Sequence, residues 1–202
     1  METNNYPTQS AASWNPAEVR MSFFTKPITN KWPSGQPLSL FQVYRYIITR
    51  RYMPETEQLR TITDDDKARC FKGQNLDYVT PSGIFTYCSD GSLVKHSGVL
   101  CIDLDYLGNR VEELFLLLIH EPMFKTLLLF RSPRGNGLKW FIHIDLSRCD
   151  HRTWFQAVRN YLMYTYHLED KQVDKSCGNP SRACYLCYDP NAYIMTDLIE
   201  YF

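Results

Sequence analysis

The stretch GVLCIDLDYLGN, Gly98 to Asn109, constrains the fold most, because it runs apolar until two aspartates, Asp103 and Asp105, interrupt it. Strand side chains alternate, so Asp103 and Asp105 share one face while Ile102 and Leu104 fill the other. Like charges this close are costly unless a cation neutralises them. Hard oxygen ligands at i and i+2 suit Mg²⁺ or Mn²⁺, ions that bridge carboxylates to substrate phosphates. Taken alone, the pair is equally consistent with a strand end emerging into solvent with two hydrated carboxylates.

The patterning around this strand predicts an α+β domain. In SLFQVYRYIITRRY, Ser39 can cap a helix with Gln42 three residues on, and Leu40, Val43, Tyr44, Ile47 and Ile48 form one stripe. A short helix follows in TDDDKARCFK, with acidic residues at its positive end. Two turn signals, Pro81-Ser82-Gly83 and Ser89-Asp90-Gly91, frame β-prone runs and predict a hairpin leading into the aspartate strand. Asn109 is placed to cap a helix in RVEELFLLLIH, with Glu112 at its third position, ending before Pro122. KTLLLFRSP reads as a strand running into a turn, GLKWFIHIDL as an alternating strand, and DHRTWFQAVRNYLMYTYHL as a long amphipathic helix opened by Asp150. This order implies a mixed β-sheet with helices mainly on one face. Residues 1–18 are polar without a sustained apolar period and read as a flexible arm, leaving 19–202 as one domain.

Whole-chain charge predicts no strongly basic body, since Lys plus Arg balance Asp plus Glu at 22 each. Any phosphate or nucleic-acid site must then come from local clustering. Seven cysteines without a paired framework, and no signal-peptide start, point to a reducing cytoplasm. Cys177, Cys184 and Cys187 lack a matching second half at zinc spacing and read as buried or incidental thiols. The longest apolar run, Leu114 to Ile119, is far too short to span a bilayer.

Two further segments carry candidate chemistry. In FRSPRGNGLKWFIHI, Arg131, Ser132, Arg134, Gly135, Asn136, Gly137 and Lys139 crowd a turn between two apolar strands, where glycines let backbone N–H groups approach an anion. Phe141 and His143 share the Lys139 face of the following strand. An ordinary Gly-rich hairpin is the competing interpretation. In KQVDKSCGNPSRACYLCYDP, Asp174 follows the long helix and Arg182 lies eight residues on. Asp174 could complete a two-metal site or cap a turn; Arg182 could reach a phosphate, or pair with Asp189 or Glu169.

Taken in order, Asp-x-Asp, a basic Gly turn before a strand and a lone Asp after a helix resemble the catalytic core of archaeo-eukaryotic primases, the primase-polymerase superfamily. The likeness is greatest to primase domains at the N-termini of mobile-element and phage replication proteins of the virulence-associated protein E type. It runs from about Phe23 to Tyr193 through HSGVLCIDLD, SPRGNGLK and VDKS…SRACYLCYDP. The resemblance implies an RRM-like core in which Asp103, Asp105 and Asp174 hold two divalent ions, Mg²⁺ or Mn²⁺. It implies nucleotide contacts from Ser132, Arg134, Gly135, Gly137, Lys139 and Arg182, with Lys139 standing where that superfamily usually has a histidine. The implied activity is addition of an NTP or dNTP to a 3′-hydroxyl on a single-stranded DNA template. The implied partners are that template, the nucleotide and a replicative helicase, in trans or in a longer parent chain, with no membrane involved. Lys26, Lys31, Trp32, Arg50 and Arg51 are candidates for a template track.

Two other functions compete. One is a nucleic-acid-binding replication module that keeps the fold without catalysis. The other is a rolling-circle relaxase, which needs paired histidines on a strand and a nucleophilic tyrosine; WFIHI offers only His143.

Overall fold

A computed structural model describes residues 14–198, and the α+β class expected from the sequence is what it contains. An outer sheet is built from β1 (Arg20–Phe24), β2 (Leu38–Ser39), β3 (Tyr78–Thr80) and β9 (Cys184–Tyr185), in the order β2-β1-β3-β9. β4 (Gly83–Phe85) and β5 (Leu93–His96) form the expected hairpin. An inner sheet joins β6 (Val99–Leu104), β7 (Thr126–Arg131), β8 (Leu138–His143) and β10 (Tyr193–Ile194) in the order β10-β7-β8-β6. Every ladder among the described strands is antiparallel, where one mixed sheet was the expectation. The physical reason lies in the connections: β7 and β8 are joined by a tight turn, which can only return the chain antiparallel.

All six residues of β6 are buried because this strand has a core on each side. On one face Leu100, Ile102 and Leu104 pack with Trp140 and Ile142 of β8 under α4 (Val111–Ile119) and α5 (His151–Thr165). On the other, Val99 and Cys101 pack with Phe141 and Phe130 against the outer sheet, α1 (Leu40–Ile48), α2 (Met53–Thr61) and α3 (Asp65–Asn75). Asp103 belongs to this second face, between the two sheets.

Local signals account for most helix starts. Ser39 and Gln42 form the capping box of α1, Asp64 accepts from the Lys67 N–H at the start of α3, and Asp150 accepts from the Thr153 N–H at the start of α5. Asn109 does not cap α4: it lies inside a 3₁₀ turn, Gly108–Arg110, and Arg110 occupies the cap position without a side-chain hydrogen bond. Residues 1–13 of the expected arm lie outside the described residues, but its last residues are folded. Trp14 stacks on His143 with ring centroids 3.9 Å apart and donates its indole N–H to the Ser97 carbonyl, and Asn15 caps a 3₁₀ turn at Pro16–Glu18. Among the described residues no helix is long and apolar enough to cross a membrane.

Candidate metal centre

β6 is flanked on both edges, and both neighbours matter to the site. On one edge it pairs with β8, in a register that sets Asp103 directly opposite Lys139. On the other, the segment after α5 runs antiparallel to its end: Leu104 bridges Val173, the Asp174 N–H donates to the Asp103 carbonyl at 3.0 Å, and the Asp105 N–H donates to the Gln172 carbonyl at 2.9 Å. These backbone bonds deliver the distant Asp174 to the strand carrying the other two acids. One carboxylate oxygen from each of Asp103, Asp105 and Asp174 lies within 4.8 Å of the others.

The three acids sit in different electrostatic settings. Asp103 is only 6% exposed; its Oδ2 is ion-paired with the equally buried Lys139 ammonium, while its Oδ1 is buried without a hydrogen-bond partner. Asp105 lies just past the end of β6, and burial first, then the neighbouring Asp103 charge, push its pKa up. Asp174 is half-buried. Burial would raise its pKa, but the Arg182 guanidinium and bonds from Ser176 hold it below the usual carboxylate range. Its Oδ1 accepts from the Ser176 N–H at 2.9 Å and Oγ at 2.7 Å, and its Oδ2 is ion-paired with Arg182. Asp174 therefore caps the 3₁₀ turn Lys175–Gly178 and also belongs to the acidic triad. Arg182 pairs with Asp174 rather than with Asp189 or Glu169; Asp189 is taken by Arg131.

This donor set fits a divalent cation. All three ligands are hard carboxylates, and a buried carboxylate oxygen with no partner is costly unless a cation or donor meets it. An acidic triad able to hold a metal ion, one member buried and two partly so, is thus present. Burial works against the Lys139 charge, yet Asp103 beside it keeps the ammonium pKa above its ordinary value. Lys72 adds a third cation close by; burial first and then the Lys139 charge lower its pKa.

The basic turn also reaches the centre, mainly through its backbone. The Leu107 N–H donates to the Asn136 carbonyl at 3.0 Å, and a Cβ on Gly137 would strike the Leu104 carbonyl, so only glycine lets this turn lie against the acidic strand. The turn also closes on itself, with the Ser132 N–H donating to the Gly137 carbonyl and the Gly135 N–H to the Ser132 carbonyl, both at 2.8 Å. Ser132 is buried, and Arg134 points away to an ion pair with Asp65 at 2.5 Å. Of the candidate track, Lys26 pairs with Glu55, Arg51 pairs with Asp77 and lies over Tyr46, and Trp32 is exposed.

Sequence reasoning passed over two features at the centre. One is the cross-strand Asp103–Lys139 pair, which only the β6–β8 register reveals. The other is a polar hollow of about 280 Å³ beside Asp174, lined in part by Lys31, Ser176, Ser181, Arg182 and Tyr185. A larger hollow, about 480 Å³, lies on the outer side of α4 against Leu116, Leu117 and Pro122, and contains none of the triad.

No curated protein matches the chain, and no solved structure does. The family model described as BT4734-like, N-terminal domain, matches residues 72–194, which span β6, the basic turn and Asp174, and therefore every acid of the centre. With that match covering more than half of its 202 residues, the chain belongs to the BT4734-like N-terminal domain family.

Proposed function

We propose that this domain is a metal-dependent nucleotidyltransferase of the primase-polymerase kind, extending a nucleic-acid 3′-hydroxyl with NTP or dNTP on a single-stranded template. The observation that carries it is the convergence of Asp103, Asp105 and Asp174, one carboxylate oxygen of each within 4.8 Å of the others, together with an Asp103 Oδ1 that has no hydrogen-bond partner. Mg²⁺ or Mn²⁺ bound there would supply Lewis-acid activation of the attacking hydroxyl and charge stabilisation on the leaving pyrophosphate.

The chain's own groups have distinct parts in this scheme. Asp103 and Asp105 offer oxygens not already engaged by hydrogen bonds, and Asp174 is held in place by Ser176 and Arg182. Lys139 is a positioning residue that fixes the Asp103 rotamer across the strands and offsets part of the triad's charge. The close backbone approach of the turn at Gly137 keeps the acidic strand from shifting. A single-stranded template and, in a longer assembly, a helicase are the partners that accompany this activity.

Incorporation of labelled dNTP on primed and unprimed single strands with Mn²⁺ tests the proposal. Activity that disappears in Asp103→Ala and Asp105→Ala is expected; incorporation that survives both changes would sink it. A second function has its own support: the Lys139 ammonium already engages Asp103, as a domain that binds nucleic acid without catalysis could tolerate. Single-strand binding without incorporation under any divalent ion would favour that alternative.

A further inference from the structure

We infer that the phosphate chain of the nucleotide is received in the hollow between the segment around Lys31 and the segment 176–185, by Lys31, Lys72 and Arg182, rather than by the glycine turn at 132–137. This rests on the nucleotidyltransferase function proposed above and names its phosphate subsite.

The two basic regions differ in how many of their cations are already paired: at the turn all three are, whereas at the hollow Arg182 is paired with Asp174 but Lys31 and Lys72 have no ion pair among the described residues. At the turn, Arg134 is paired with Asp65, Arg131 is held between Glu112 and Asp189, and Lys139 is buried against Asp103. The Ser132 and Gly135 N–H groups are used within the turn. An anion arriving there would have to displace existing partners.

The hollow lies on the Asp174 side of the triad, and Ser176 and Arg182 belong both to its wall and to the Asp174 carboxylate's partners. Among the described residues Lys31 has no acidic partner; its ammonium lies 5.8 Å from the Tyr78 ring centroid. Lys72 is half-buried, likewise without an ion pair, 5.1 Å from the centroid of Tyr185, whose side chain lines the hollow. A partly desolvated ammonium with no direct ion pair is costly even with the Asp103 and Asp105 charges nearby, and an anionic ligand in contact with it reduces that cost. Helix α3 brings Lys72 there because the Ile28 N–H donates to the Gly73 carbonyl at 2.6 Å, docking the loop that carries Lys31 onto the end of that helix. The Ser176 and Ser181 hydroxyls already donate to Asp174 and Asp90, and the Asn179 side-chain oxygen accepts from Arg152, so the phosphate contacts fall mainly to the lysines, with the Tyr185 ring and Ile28 beside them for the nucleoside. A hollow of about 280 Å³ suits a nucleoside polyphosphate better than a polymer.

Calorimetric titration of the full chain with inorganic triphosphate and with dATP, in the presence of Mg²⁺, tests the assignment. Lys31→Ala and Lys72→Ala are each expected to weaken both ligands about tenfold or more, and Arg134→Ala to weaken them less than either. Lys72→Arg, which keeps the charge, is expected to retain binding and separates charge loss from misfolding. If Arg134→Ala abolishes binding while the two lysine variants bind like wild type, the subsite is wrong and the nucleotide function stands. If the folded wild-type chain binds neither ligand, the nucleotide function falls and this inference with it.

Discussion

Asp103 and Asp174 belong to one acidic triad and each is paired with a cation, but they are held in opposite ways. Asp103 is carried by a strand between two sheets, and its partner Lys139 faces it across the ladder, both nearly inaccessible. Asp174 is carried by a 3₁₀ turn at the surface, and its partner Arg182 has a side chain 41% exposed. The same charge pairing therefore does different work. The buried pair is an element of the core, whereas the outer pair lies where water reaches it.

Removing the inner cation is the most drastic way to test this contrast. Lys139→Met leaves Asp103 as a buried charge without its partner and is expected to cost about 3–5 kcal/mol in denaturant unfolding. Mn²⁺ should recover much of that loss, because a divalent ion can replace the missing charge; a variant as stable as wild type without metal would break the contrast.

The outer arm is open to a milder challenge by pH. The Gly98 N–H donates to His96 Nδ1, so His96 donates from Nε2 to His151 Nδ1 at 3.1 Å, and His151 donates from Nε2 to the Cys177 carbonyl at 3.1 Å. This relay needs both rings neutral. Burial first, then His151, pushes His96 down to about 3, and burial lowers His151 despite its bond to Cys177. The unfolded chain takes up protons first, so this stability is intact above about pH 6.5 and is lost as the pH falls toward the folded values. The expected loss is about 1.4 kcal/mol per pH unit for each histidine held neutral, with hydrogen exchange rising first near residues 174–178. A His96→Asn variant should show a shallower slope; an equal slope would remove the pair from the account.

Two smaller effects refine the picture. Gly137→Ala should cost about 1–3 kcal/mol, because the turn must move away from the Leu104 carbonyl, and should disturb the site through Asp105. Arg182→Ala should change stability by less than about 1 kcal/mol, since its pair is partly solvated. A loss as large as that of Lys139→Met would mean that the two arms are equally structural.

The fold was legible wherever local physics governs it. The apolar run of β6, the Ser39–Gln42 box and the Asp150 cap each follow from a few neighbouring residues. The two-residue strands β2, β9 and β10 were not, because so short a segment carries no period and exists only through its partner. Trp14 was assigned to an arm because its packing on His143 depends on a contact far away in the chain. At the site, the acids could be named from residue type and order. Lys139 as the partner of Asp103, and Lys31 and Lys72 as unpaired cations beside Asp174, could not, since register and docking bring them there.

The most direct test of the metal centre is Mn²⁺ binding to the intact chain, followed by loss of the free-ion electron paramagnetic resonance signal. Saturable uptake by wild type, abolished in a folded Asp103→Asn/Asp105→Asn variant, is the expected result. Wild-type protein that leaves the signal unchanged, or a double variant that takes up as much Mn²⁺ as wild type, would contradict it.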